Sequence, residues 1–219
     1  MKNEALKKSV LTAIFAALAV VIGFIQIPWP PAPHLAIDFS EVIILASFVT
    51  LGFKYAGVTV LLRSVTRLLI GLTTTVGSII PYFGEVIAIS ASLTILLSYM
   101  LITHITKTEH KPLFGQREEN PKKVPFVKHL INLSFVTVVF SILMVALNYF
   151  ISVPIFVSGG KHIFFTTIIK DPQYAFLGTT LAAYTTGVVS VYLPFNLLKG
   201  ILTMGVFELI HYRLKQMEI

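Results

Sequence analysis

Cysteine is absent from the 219-residue chain. Disulfides and thiolate metal sites are therefore excluded. Charge is scarce as well: 12% of residues are Asp, Glu, Lys or Arg, against about 25% in soluble domains. No soluble-sized segment remains between the apolar runs, which rules out a soluble domain on a two-helix anchor. No Gly-x-x-x-x-Gly-Lys-Ser/Thr phosphate loop occurs, so the chain has no ATPase of its own. No His-Glu-x-x-His or comparable metal spacing appears, and the six histidines are scattered. Nothing pairs a nucleophile with a base. These absences argue against a membrane enzyme and predict neither a cofactor nor a metal. Small size and the lack of an evident inverted repeat argue against a self-sufficient secondary transporter or channel.

What fills the chain is apolar: 55% of its residues are hydrophobic. Long apolar runs recur from end to end, so the expectation is an all-α integral membrane protein with a single membrane domain over 1–219. Apolar segments fall at about Ser9–Ile27, Ser40–Phe53, Tyr55–Thr74, Tyr82–Thr103, Leu130–Phe156 and Leu193–Tyr212. The first is read as a retained helix, not a signal peptide, because no cleavage site follows it. Pro28-Trp-Pro-Pro-Ala-Pro33 ends it, since prolines at this density stop helices. The second is short for a full crossing, which takes about 20 residues.

The net charge of +7 would suggest nucleic acid in a soluble protein. Here its distribution speaks for topology and against a nucleic-acid partner. The basic clusters are Lys2/Lys7/Lys8, Lys107–Lys128 and Arg213/Lys215. Six crossings put all three on one side, which the positive-inside rule makes cytoplasmic. Both termini and the loop at about 104–128 then face the cytoplasm of a cell that carries the chain in its plasma membrane. Ala175–Val191, mildly apolar but rich in Thr and Gly, is read as a structured extracytoplasmic loop or short helix before the last helix.

Polar groups inside apolar segments need a reason. Asn196 and Lys199 lie three apart in Tyr192-Leu-Pro-Phe-Asn-Leu-Leu-Lys-Gly200, so a helix puts them on one face. Pro194 suits the first turn of that helix. Asn148 lies at about the same depth in the fifth segment. Two amides and an amine at one depth suit the polar edge of a ring-containing small molecule. Tyr149, Phe150, Trp29, Phe39 and Tyr192 are candidate walls, although interfacial aromatics are also ordinary membrane belts. Asp38, Ser40 and Glu41 fit a helix N-terminus, or a loop closing over an outward-facing pocket. Arg63 and Arg67 lie mid-segment, four apart, free to bind an anion, pair with Glu85 or meet a partner. Ala13-Ile-Phe-Ala-Ala17 is a small-xxx-small pattern that permits close helix approach.

Together, Ala13–Ala17, the proline loop followed by Ile37-Asp-Phe-Ser-Glu-Val42, Gly84-Glu85, Leu147-Asn-Tyr-Phe150 and Leu193-Pro-Phe-Asn-Leu-Leu-Lys-Gly200 carry a resemblance over nearly the whole chain. It resembles the substrate-binding S component of energy-coupling-factor (ECF) vitamin transporters, and looks most like the riboflavin branch. The resemblance implies a six-helix protein that captures a vitamin from outside and topples to release it inside. It also implies a transmembrane T component and two ATPase subunits as partners, with Ala13 and Ala17 contacting the T component. By position, Asn148, Asn196 and Lys199 would bind the vitamin's polar edge, and Ile37–Phe39 would form wall or lid. Two positions depart from the riboflavin pattern: Val86-Ile-Ala-Ile89 follows Gly-Glu without an Asn, and Arg63-Ser64 stands where Lys-Asn is common. An arginine near the pocket, Arg67 or Arg63, would suit a carboxylate vitamin such as pantothenate.

Overall fold

Residues 2–74, 80–108 and 124–217 are described in the computed structural model. The expected loops at 75–81 and 104–128 lie largely outside them. The described chain is mostly helical, with α1 (Lys2–Gly23), α2 (Ser40–Leu51), α3 (Phe53–Thr74), α4 (Ile80–Thr106), α5 (Phe126–Leu147), α6 (Val153–Ser158), α7 (Phe165–Lys170) and α8 (Leu181–Met217). Among the described residues, four helical runs are long and apolar enough to cross a membrane: Glu4–Gly23, Tyr82–Thr106, Phe126–Ser158 and Leu181–His211. Helix α3 has the length but holds Lys54, Arg63 and Arg67, and α2 has only 12 residues.

The proline-rich stretch is not a plain loop. It folds into an antiparallel hairpin, β1 (Ile27–Trp29) and β2 (Ala32–Ile37), with Ile27 opposite Ile37. Proline is tolerated here because each strand of a two-stranded hairpin has an outer edge whose N–H groups need no partner. The fifth segment is not one α-helix either. After Leu147 it loosens into a π-helix, Asn148–Ser152, before resuming as α6.

The last helix corrects two expectations. It starts at Leu181, not near Leu193, so Pro194 lies inside it and Leu181–Val191 is helix. Gly178, at φ 107°, makes the tight turn before it; a Cβ there would stand 2.7 Å from the Ala183 Cβ. Thr180 Oγ1 then accepts the Ala183 N–H at 3.2 Å, capping the new helix. Tyr184, Val188 and Tyr192 recur at helical spacing, all buried against Val153, Ile168 and Tyr174. That packing carries the helix past Pro194, which costs it one backbone hydrogen bond.

Helix α8 packs along α5, α5 on α4, α4 on α3, and α1 against α2 and α3. At Gly200 a Cβ would lie 3.2 Å from the Thr137 Cα, so glycine lets α8 approach α5 closely. The main core joins Ile44, Leu45, Val60, Leu96, Val136, Phe140 and Met204 from five helices. Away from it, Leu61, Leu69, Ile105, Ile142 and Leu209 are each more than half exposed, as lipid-facing residues are.

Candidate functional site

A cavity of about 260 Å³ opens where the hairpin meets the helix ends beside it. Gln26 follows α1 into it, and Leu35 and Ala36 of β2 form one side. Asp38 and Glu41 enter from the start of α2, and Arg67 from α3. Helix α4 contributes Gly84, Ile87, Ala88 and Ala91, a single face at i, i+3, i+4 and i+7. Phe140 and Met144 of α5, Asn148 and Ser152 of the π-helix, and Phe156 of α6 continue one stripe. Helix α8 closes the ring with Tyr192, Phe195, Asn196 and Lys199.

The charges form pairs. Lys199 Nζ lies 3.2 Å from Asp38 Oδ2. The other carboxylate oxygen, Oδ1, accepts the Ser40 N–H at 3.0 Å and the Ser40 hydroxyl. Asp38 therefore ties the start of α2 and also faces the cavity. Burial alone would push its carboxyl up; the Lys199 ammonium and the Ser40 donors outweigh that and hold it at about 2. Arg67 Nε pairs with Glu85 Oε1 at 3.2 Å. Arg63 is fully buried beneath the cavity and donates to Glu41 Oε1 and Ser92 Oγ, both at 2.9 Å. Arg67 thus pairs with Glu85, one of the readings offered for the two arginines, whereas Arg63 pairs with Glu41 instead.

The amides have a defined orientation. Asn148 Nδ2 donates to the Met144 carbonyl at 2.7 Å, and Asn196 Nδ2 to the Tyr192 carbonyl at 2.8 Å. Only the NH₂ end of an amide can donate to a carbonyl, so the NH₂ groups face the helix backbones. Both amide oxygens remain as acceptors on the cavity wall.

Of the residues singled out by sequence, Asp38, Arg67, Asn148, Asn196 and Lys199 meet around this one cavity. Phe39 and Tyr149 are not on its lining. Phe39 precedes α2 and packs on the main core. Tyr149 turns to the aromatic cluster of Phe150, Phe165 and Tyr184, with its hydroxyl 3.0 Å from Thr185 Oγ1. Trp29 and Phe150 are off the lining too, Trp29 packing at a tilt of 60° against Phe195, while Tyr192 lines it as expected. Gln26, Phe140, Met144, Ser152, Phe156 and Phe195 were missed. Helical spacing from Asn148 points to Met144, Ser152 and Phe156, and from Lys199 to Phe195. Ala13 and Ala17 are exposed on α1, beside the face that buries Ala16, Ala19 and Val20. Among the described residues, no group of His, Cys, Asp and Glu could hold a metal ion.

No curated protein matches the chain. A solved structure described as "Structure and mechanism of the S component of a bacterial ECF transporter" matches it with a TM-score of 0.65 and 22% identity. The match covers 99% of this chain and 98% of that one, a likeness of fold. The family model for "ECF transporter, substrate-specific component" matches residues 7–211. The chain belongs to the family of substrate-specific components of ECF transporters.

Proposed function

We propose that the chain captures a neutral, ring-containing vitamin, riboflavin first, and delivers it through a T component and two ATPase subunits. The observation that carries the choice is charge balance. The two cations on the cavity wall, Lys199 and Arg67, are each matched by a carboxylate, Asp38 and Glu85. An anionic ligand would have to compete with those carboxylates for each cation. A neutral ligand leaves the pairs intact, and burying an unmatched charge is costly. The two outward amide oxygens suit a ligand N–H, as in an imide flanked by carbonyls, and Lys199 and Arg67 can donate to those carbonyls. Phe140, Met144, Phe156, Tyr192 and Phe195 supply the apolar walls a fused ring needs.

In this reading the chain crosses the plasma membrane six times, through α1, α2, α3, α4, the α5–α6 run and α8. Both termini are cytoplasmic, and the cavity opens outward beneath the hairpin. The exposed face with Ala13 and Ala17 meets the T component. Pantothenate remains the second reading, because Arg67 reaches the cavity.

The test is riboflavin titrated onto purified protein, read by quenching of flavin fluorescence, with pantothenate followed by calorimetry. Saturable quenching with no pantothenate heat is the expected result. Pantothenate binding without quenching reverses the choice.

A further inference from the structure

Among the described residues, two buried polar atoms on the cavity wall, Glu41 Oε2 and Ser152 Oγ, have no protein partner. Glu41 is 2% exposed; its Oε1 is held by Arg63 and by Ser92, each at 2.9 Å, but its Oε2 makes no hydrogen bond. Ser152 is 3% exposed, and its Oγ makes none either. Both residues line the cavity. Serines in helices readily bond back to the carbonyl four residues earlier, as Ser141 does to Thr137 at 2.7 Å. Ser152 does not; the π-helix widens the turn at this point and puts its hydroxyl on the same stripe as Asn148. A buried acceptor left unmade is expensive, most of all on a carboxylate, so each atom calls for a partner that enters the cavity.

The demand is specific in sign. A carboxylate oxygen accepts only, so the group meeting Glu41 must be a donor. A serine hydroxyl both donates and accepts, which matches another hydroxyl. With the amide oxygens of Asn148 and Asn196 already assigned to a ring N–H, the cavity has acceptor capacity in excess.

We propose that Glu41 and Ser152 are ligand-binding residues, and that the ligand carries hydroxyl groups on a side chain as well as a neutral ring. This rests on the flavin reading above and adds the half of the ligand that reading leaves unassigned: a polyhydroxyl chain donates to Glu41 Oε2 and exchanges a hydrogen bond with Ser152 Oγ. A neutral ring without hydroxyls fills the apolar walls but leaves both atoms bare.

The experiment compares riboflavin with lumiflavin, the same ring with a methyl group in place of the polyhydroxyl chain, by fluorescence quenching on the purified chain. Wild type should bind riboflavin at least about tenfold more tightly, the scale of hydrogen bonds to charged groups. Ser152→Ala should weaken riboflavin about three- to tenfold. Glu41→Gln, which keeps an oxygen for Arg63, should weaken it about tenfold or more. Both losses should be smaller for lumiflavin. Should Glu41→Gln fail to fold, Ser152→Ala and the ligand pair decide alone. Equal affinity for the two flavins, or a Ser152→Ala loss of the same size with both, overturns the proposal and leaves the flavin reading standing. Absence of any quenching removes the flavin reading and the proposal with it.

Discussion

Lys199 and Asp38 hold each other in a setting neither would choose alone. Because the folded carboxyl titrates at about 2, below its ordinary 3.8, ionised Asp38 stabilises the fold above pH 3.8. That contribution is lost only as pH falls through about 2, so the wild-type pair is silent between pH 5 and 8. Lys199→Ala removes the largest force opposing burial. Burial is then opposed only by the Ser40 donors and the folded carboxyl titrates higher than in wild type, which destabilises the neutral-pH protein by about 1–3 kcal/mol. The melting temperature of the variant should fall below wild type at pH 7.5, and the gap should narrow as pH drops toward 4.5. A gap independent of pH would mean that Asp38 is solvated. Riboflavin affinity should drop about tenfold or more, read by the same quenching titration. At this scale the sequence was informative wherever a polar residue interrupts an apolar run, because a buried amide or cation must be satisfied. It was blind to Ser152, since a serine in a helix normally satisfies itself. It misplaced Phe39 and Tyr149, because an aromatic ring is equally at home in a core or against a ligand.

The two interruptions of regular helix both fall at the cavity. The π-helix carries Asn148 and Ser152 on its inner side, and Pro194 sits two residues before Asn196 in α8. Replacing Pro194 by Ala restores an N–H for the Ser190 carbonyl and should hold or raise the melting temperature. The same change alters the helix axis between Tyr192 and Lys199, and riboflavin affinity should fall several-fold. Lost affinity with unchanged or higher stability is the signature of a helix bent for its ligand; unchanged affinity would make Pro194 a passive feature. Local rules misread this region for a physical reason. Pro at a helix start is the common case, and only the buried recurrence of Tyr184, Val188 and Tyr192 shows that packing carries the helix through. The hairpin was missed similarly: four prolines between 28 and 33 forbid a helix but not a two-stranded edge. Helices α1 to α4 lay close to where apolar runs placed them, with α2 beginning at Ser40 as expected, whereas the short α7 falls where no apolar segment was read.

As a whole, the molecule offers two faces to its surroundings. Because it has no native cysteine, single-cysteine variants report topology cleanly. A cysteine at Lys161 should label with an impermeant maleimide on intact cells, and one at Lys7 only after permeabilisation. The reverse pattern would invert the proposed orientation. Tryptophan at Ala17 should leave riboflavin binding within about twofold, because this exposed position is remote from the cavity lining. It should abolish uptake if the α1 face docks the T component, since small residues there set how closely helices approach. Undiminished uptake would move the docking face elsewhere. The Lys199–Asp38 contact adds a consequence for how the protein is made, since its two ends are 161 residues apart. At about 5–20 residues per second of synthesis, Asp38 leaves the ribosome roughly 8–30 s before its cation exists. During that interval the early helices hold an acidic group with no counter-charge, and the pocket has no floor. Ligand recognition is therefore the last property the nascent chain acquires, and a truncation before α8 should yield an inserted but ligand-blind fragment.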